Sequence, residues 1–362
     1  MNIDKKWSDE ELLTTAFLVE NPSTIEKFLN EFQIELEKIY FIKSFEYEDI
    51  KAEIKQRNIV QIISEKNFVQ DLNLLQWECD TFNTYYIIDC VEPLKIKDTK
   101  ENYLMNKKLW EYTVNNAKDE FAGGGWVNSY NRMPFSKIEM EEYSNNVLKK
   151  LKPYLKPNTK ILEVGCSTGL TMFALLPFVE SYCAIDLSSK VLEKNRKIAL
   201  EKGYKNISLY NLPADKIELL KEYNFDIIIM NSVIQCFHGY NYFREVLEKC
   251  LQKINSHGII FLGDIMDLEL KTDLEQSLQE HKNQNPLDNT KLLTQGELFY
   301  ARGFFQDCKA EFPQIKDIKF SQKIGTIENE LTKYRYDAML VIDKTIKNIR
   351  IEKRKKQIGL IL

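Results

Sequence analysis

Lys160 to Pro177 reads KILEVGCSTGLTMFALLP, and the reading of this stretch decides the fold. Ile161, Leu162 and Val164 make a short apolar strand, Gly165 and Gly169 bracket a turn, and Leu170, Phe173, Ala174 and Leu175 begin a helix-period pattern. A glycine turn at such a junction brings backbone N–H groups close to a ligand at a helix N-terminus. The spacing Glu163-x-Gly165-x-x-x-Gly169 departs from the G-x-G-x-x-G of dinucleotide binders, whose second glycine makes room for a pyrophosphate. A nucleotide cofactor without a phosphate chain suits the spacing better.

Downstream, the apolar run SYCAIDLSS ends in Asp186, where doubly wound folds place the carboxylate that holds a ribose diol. NISLYNLPAD, FDIIIMNSVIQCF and HGIIFLGDI follow at the same rhythm. Helical patterns over Ser189 to Glu201, Asp215 to Tyr223 and Tyr240 to Ile254 separate them. Strands alternating with helices of this length predict right-handed crossovers and a parallel sheet covered on both faces. Gly165, Asp186, Ala214 and Asn231 then fall at the carboxyl ends of strands, where ligands bind. Gln314 to Ile324 and Arg335 to Ile342 are the last two expected strands, the final one antiparallel, and Asp267 to Asn289 is a polar helical insertion before them.

The chain has 362 residues and a formal net charge of −4, with no basic patch of the kind nucleic-acid binding needs. Its seven cysteines are scattered with no C-x-x-C pair, as expected for reduced thiols. No apolar run reaches the ~18 residues of a membrane span, and the polar start MNIDKKWSDEE predicts no signal peptide, so the expected location is the cytoplasm. In the first hundred residues or so, Ser8 to Val19 and Ser23 to Phe32 carry capped helical patterns, while LEKIYFIKSF and TYYIIDCVEP read as strands. This predicts an N-terminal α/β or helical subdomain over 1–120. Its last helix, Thr99 to Glu120, would act as a lid, with Gly123-Gly124-Gly125 either a hinge or a plain connector. A core over 121–343 and a basic tail or linker over 344–362 complete the expected organisation.

Taken together, Glu163-x-Gly165-x-x-x-Gly169, Asp186, Pro213-Ala214-Asp215 and FDIIIMNSV resemble a class I S-adenosylmethionine-dependent methyltransferase. The resemblance runs from about Trp126 to Asp343. GGWVNSYNRMPFS, NSVIQCFHGYNYFREVL, FLGDIMD and ENELTKYRYDAML sharpen it toward the methyltransferase domains of polyketide synthases and nonribosomal peptide synthetases. It implies a Rossmann-like seven-stranded α/β sheet with an antiparallel last strand, and S-adenosylmethionine as cofactor. By the same resemblance, the backbone of Gly165, Cys166 and Ser167 would pass under the methionine portion, with Gly169 closing the turn and Glu163 anchoring it or the cofactor amine. Asp186 would accept the ribose hydroxyls, and Leu187, Ala214 and Asp215 would flank adenine. Asn231 and Ser232 would line the methionine end. Trp126, Ser129 and Tyr130 would belong to a segment folded over the cofactor.

Acceptor chemistry turns on the proton. A hydroxyl needs a positioned general base, whereas an amine attacks once its lone pair is free. Of three histidines, His238 follows the fourth strand in QCFHGYNYF, and Glu330, with Glu328 as fallback, is the expected orienting carboxylate. These residues predict an O-methyltransferase acting on a hydroxyl, the β-hydroxyl of a polyketide intermediate, without a metal. The acyl group would be carried on the phosphopantetheine arm of an acyl carrier protein, beside neighbouring synthase domains, with the isolated domain monomeric. The alternatives are an N-methyltransferase on an aminoacyl carrier thioester and a non-catalytic spacer.

Overall fold

The structure, a computed structural model, describes residues 8, 12–20, 25, 29, 34, 35, 37, 39–65, 68–88, 95–96, 102–115, 125–292 and 296–345. Two compact units divide it: residues 1–99 with 239–241 and 303–311, and residues 100–238 with 242–302 and 312–362. Of the expected helix Ser23 to Phe32 the structure describes Ile25 and Leu29, both helical and buried; most of the triple glycine and the tail beyond Thr345 lie outside the described residues.

In the smaller unit, strands β1 (Thr15–Leu18), β2 (Tyr40–Phe41), β3 (Gln61–Ser64), β4 (Thr84–Ile87) and β5 (Lys95–Ile96) form a sheet in the order β2-β1-β3-β4-β5. All neighbours are parallel except β4 and β5. The unit is therefore α/β, with helices α1 (Tyr47–Arg57) and α2 (Val69–Glu78) following β2 and β3. Ile50 and Ile54 of α1 pack in one cluster with Ala16, Leu18, Ile62 and Tyr85. The helix expected over Ser8 to Val19 is corrected over its second half, where Thr15–Leu18 is β1; among the described residues before it, Leu12 and Leu13 are helical. All four residues of β1 are buried, which a parallel strand covered on both faces demands and a helix with a solvent face does not.

The larger unit carries β6 (Lys160–Val164), β7 (Ser181–Asp186), β8 (Ile207–Asn211), β9 (Phe225–Asn231), β10 (Ile254–Met266), β11 (Ile315–Gln322) and β12 (Arg335–Asp343), ordered β11-β12-β10-β9-β6-β7-β8. β12 runs antiparallel to both β10 and β11, and the remaining pairs are parallel. Seven strands with an antiparallel last strand match the architecture expected above. The chain leaves β6 toward β7 on one side and returns to its other side at β9, so the crevice at their carboxyl ends is the topological switch point where ligands bind. Ile161, Leu162, Ile228 and Ile229 are fully buried there, each contributing about 1.5–3 kcal/mol by leaving water.

Helices α3 (Lys107–Asn115), α4 (Lys137–Leu151), α5 (Leu170–Leu175), α6 (Ser189–Glu201), α7 (Tyr240–Lys253), α8 (Lys271–Gln284), α9 (Arg302–Glu311) and α10 (Glu330–Lys333) complete the element order. The helix expected over Asp215 to Tyr223 is a 3₁₀ turn at Ala214–Leu219, because Lys216 leaves helical angles at φ −114°. Of the helix expected over Thr99 to Glu120, Tyr103–Met105 is a 3₁₀ turn and Lys107–Asn115 is α3, in the larger unit; residues 116–120 lie outside the described residues. Among the described residues, no helix is long and apolar enough to cross a membrane.

Candidate active site

The turn after β6 is built on backbone conformations that side chains disfavour. Gly165 has φ 75°, and a Cβ there would lie 2.6 Å from Val233 Cγ2. Gly169 has φ 82° and caps α5. Ser167 between them is also left-handed, at φ 45°. Such strain persists only where surrounding bonds impose it, and they are present. The N–H groups of Gly165 and Cys166 donate to Ile185 O at 2.9 and 3.2 Å, and Asn195 Nδ2 donates to Ser167 O at 2.8 Å. Ser167 N–H then donates to Asp186 Oδ2 at 2.9 Å, and Ser188 N–H to Oδ1 at 2.8 Å. Burial pushes the Asp186 carboxyl up, while the N–H groups of Ser188, Ser167 and Leu187 oppose the shift. The carboxylate is fixed in orientation with lone pairs remaining on both oxygens, which suits a vicinal diol.

A cavity of about 310 Å³ opens over these strand ends. Gly165, Ser167, Asp186, Leu187, Ala214, Asn231, Ser232 and Glu330 all line it, so eight of the residues singled out in the sequence meet in one place. α3 forms one wall through Leu109, Trp110, Thr113 and Val114, and the 125–135 segment another through Trp126, Ser129 and Phe135. α3 is docked rather than loose: Ser189 Oγ donates to Glu111 Oε1 at 3.0 Å, Lys194 Nζ to Val114 O at 3.1 Å, and Asn102 Nδ2 to Phe237 O at 2.8 Å. A second cavity, about 340 Å³, lies at the amino ends of the strands around Lys160, Ser181 and Phe225 and shares none of these residues.

The far end of the cavity is charged. Glu330 is 5 % exposed and accepts from Ser129 N–H at 3.0 Å and from Ser129 Oγ at 3.2 Å. Its position follows from the Asn329 cap of α10, whose side chain accepts from the N–H groups of Leu331 and Thr332. Arg335 lines the same end and is bonded through Nη1 to Asp264 Oδ2 at 2.5 Å. Asp264 is fully buried. Burial would push its carboxyl up, but Arg335 and then Lys323 hold it below the usual carboxylate range.

Six expected site residues stand outside the cavity lining, and each has another engagement. The Tyr130 hydroxyl shares a 3.0 Å hydrogen bond with Ser277, and its ring meets His281 edge-on. Tyr130 thus packs on α8, while its neighbour Ser129 faces the cavity. Cys166 is buried, with its thiol pushed up by burial and no reactive character. Gly169 serves as the cap of α5. Asp215 is withdrawn from adenine-edge duty: Tyr242 OH donates to its carboxylate at 3.0 Å, and its own N–H donates to Tyr242 at 3.3 Å. His238 accepts the N–H of Asn102 on Nδ1 at 3.0 Å and stacks edge-on with Tyr242. The expected His238–Glu330 pair is not assembled, because the histidine latches the segment before α3 while Glu330 holds Ser129.

Glu163, the last of the six, is 2 % exposed and accepts from Tyr182 OH at 3.0 Å. Burial raises its pKa to about 8 against the opposing Tyr182 bond. The folded state therefore holds this proton more tightly than the unfolded chain, and stability falls as pH rises from the ordinary glutamate range, about 4.5, through about 8. Glu163→Gln is expected to remove that part of the decline. Thermal unfolding of both proteins at a series of pH values checks it, with the two curves converging at acid pH.

Residues 162–260 match a family model described as a methyltransferase domain. This chain carries an S-adenosylmethionine-dependent methyltransferase domain. It is 30% identical over 225 residues to a probable nonribosomal peptide synthetase, CymA, of Salinispora arenicola, covering 61% of this chain and 3% of that protein. It is 30% identical over 234 residues to chondramide synthase of Chondromyces crocatus, covering 62% and 6%. Against enniatin synthase of Fusarium equiseti the figures are 27% over 244 residues, 63% and 8%. The methyltransferase thus spans less than a tenth of the length of these curated relatives. Among solved structures, the N-methyltransferase NodS of Bradyrhizobium japonicum in complex with S-adenosylhomocysteine aligns at TM-score 0.46 and 14% identity, covering 67% of this chain and 99% of that one.

The methyltransferase's own residues fit the cofactor. The Asp186 carboxylate, oriented by Ser167 and Ser188 and lining the cavity, carries that fit; Asn231 donates through Nδ2 to Thr171 Oγ1 at 3.0 Å, and its Oδ1, without a partner among the described residues, packs toward Gly263. A Cβ on Gly263 would lie 2.0 Å from that oxygen, so glycine on β10 keeps room for Asn231. The residues that pattern reading missed are Arg335, Asp264 and Trp110. The signal for the first two was present: a charged residue at the mouth of an otherwise apolar strand, in YRYDAML and FLGDIM.

Proposed function

We propose that this methyltransferase transfers the methyl group to the α-amino nitrogen of an aminoacyl group held as a thioester on a carrier protein. S-adenosylmethionine supplies an electrophilic methyl group on a sulfonium. Asp186 would take the ribose hydroxyls, Leu187 and Ala214 would flank adenine, the backbone from Gly165 to Ser167 would run under the methionine portion, and Asn231 with Ser232 would line its end.

The observation that carries the nitrogen reading is the state of His238. With Nδ1 accepting from Asn102 N–H, the neutral ring carries its proton on Nε2 and has no lone pair left to take one from an acceptor. Glu330 faces the cavity without a histidine partner, and a carboxylate alone is far too weak a base for an alcohol. An α-amino group titrates near 8, so much of it is already neutral around physiological pH. It needs orientation rather than deprotonation, and Glu330 is placed to accept one of its N–H bonds. The name of one relative, a nonribosomal peptide synthetase, agrees with an amino-acid acceptor. The hydroxyl reading would require His238 to release Asn102.

His238→Asn offers Asn102 an acceptor oxygen in place of Nδ1 while removing any base. N-methylation of an aminoacyl carrier protein by this variant should stay within about threefold of the unmodified enzyme, the cost of one imperfect hydrogen bond. A loss of about a hundredfold, the scale of a lost general base, would overturn the reading.

A further inference from the structure

We propose that Arg335, held in place by Asp264, binds the carbonyl oxygen of the acceptor's thioester while Glu330 faces its amine. The inference rests on the aminoacyl reading above and adds the group that reads the acyl carbon.

Both residues line the charged end of the cavity and flank the same short element: Glu330 opens α10 and Arg335 opens β12 directly after it. One offers acceptors and the other donors, which matches an amine and a carbonyl separated by a single carbon. A guanidinium has five N–H donors in a planar fork. Among the described residues, the hydrogen bond recorded for Arg335 is the one to Asp264, and its side chain is 12% exposed. Arg335 also lines the cavity, so guanidinium N–H groups beyond that bond are available to a ligand there. Lys291, also in the lining, is closely paired with Glu297.

The charge balance selects a neutral partner. Three carboxylates, Asp264, Glu330 and Glu297, act on this guanidinium, so a second anion such as a free carboxylate would meet their repulsion. A carbonyl oxygen accepts the same donors without that cost. This favours an esterified amino acid over a free one.

Asp264 acts through its neighbours and is a positioning residue. It does not line the cavity, yet it bonds Arg335, which does. Lys323 lies 3.1 Å from its Oδ1 and 3.3 Å from Asp337, and Lys150 pairs with Asp337 from the other side at 2.5 Å. Asp264 and Ser232 are both left-handed, at φ 59° and 57°, beside a bulge of β10 between Leu262 and Ile265. Buried ion pairs are weak contributors to stability. A strained, fully buried cluster at the cavity edge is better accounted for by holding Arg335 at a fixed angle.

The test compares two acceptors: an aminoacyl thioester of N-acetylcysteamine, and the corresponding thioether in which the carbonyl is a methylene. Rates are referred to the neutral amine. The unmodified enzyme should prefer the thioester by about tenfold or more in kcat/KM, the worth of one charge-assisted hydrogen bond. Arg335→Lys, which keeps the charge but loses the fork, should erase most of that preference by raising KM. Asp264→Asn should fall between, and S-adenosylhomocysteine affinity measured by calorimetry should hold within about threefold for both. Equal use of the two acceptors by the unmodified enzyme overturns the inference and leaves the amine reading standing. A tenfold or larger loss of S-adenosylhomocysteine affinity in Arg335→Lys also overturns it, since the guanidinium then serves the cofactor. Methylation of neither acceptor removes the amine reading itself. Should Arg335→Lys fail to fold, the acceptor comparison in the unmodified enzyme still decides.

Discussion

Asp186→Ala is expected to raise the dissociation constant for S-adenosylhomocysteine by about a hundredfold or more, from the loss of two hydrogen bonds to a charged group at about 1.5–3 kcal/mol each. The effect should exceed that of deleting a bond to a free carboxylate. Asp186 is already oriented by the N–H groups of Ser167 and Ser188, so binding costs no further ordering of its side chain. Removal also strands Ser167 N–H in a turn whose left-handed backbone at φ 45° depends on that bond, and the turn itself should loosen. Asp186→Asn separates the two contributions. An amide oxygen can still accept from one N–H, so the asparagine variant should keep the fold and lose affinity by about tenfold. Calorimetric titration of both variants checks this, and a dissociation constant unchanged in Asp186→Ala would place the cofactor elsewhere.

Glu330→Gln should reduce methyl transfer by about ten- to a hundredfold, the worth of one hydrogen bond to a charged group at about 1.5–3 kcal/mol, with S-adenosylhomocysteine affinity nearly unchanged. The substitution keeps the volume of a side chain that is 5 % exposed and one oxygen for Ser129. The amide nitrogen then takes the Oε1 position, where the Ser129 hydroxyl oxygen can accept from it, and it offers the amine a donor instead of an acceptor. The loss should therefore appear in kcat and in the KM for the aminoacyl carrier. Raising the pH should not restore activity, because the variant lacks the acceptor rather than its deprotonated form. Single-turnover mass spectrometry separates these terms. Full activity in Glu330→Gln would remove the carboxylate from the reaction.

How far the site could be read in advance followed physical lines. β6, the glycine turn and Asp186 were legible because an apolar strand, two glycines forced into positive φ and an acid at the next strand end leave one local solution. The parallel sheet followed from the alternation of strands and helices. β1 was misread because TAFL, buried on both faces, has no alternation to separate a strand from a buried helical turn. The engagement of His238 was hidden for a different reason: its partner is a backbone N–H 136 positions away, and no local pattern announces that bond. Glu330 was found, but its partner is Ser129, 201 positions away, so the residue was legible and the pairing was not. Tyr130 and Ser129 are adjacent in sequence and face opposite ways, an alternation that short aromatic segments do not advertise. Asp264 and Arg335 form a contact between two strands far apart in the chain, visible beforehand only as charges intruding on apolar runs.

The central claim is that this cavity methylates an amine next to a thioester carbonyl. Its most direct test is a competition in which the enzyme receives equal amounts of an aminoacyl and a β-hydroxyacyl carrier protein with methyl-labelled S-adenosylmethionine, the labelled atom being located by tandem mass spectrometry. The account predicts label on nitrogen of the aminoacyl carrier alone. Label on the hydroxyl oxygen, lost in His238→Asn, would contradict it and return His238 to the role of base.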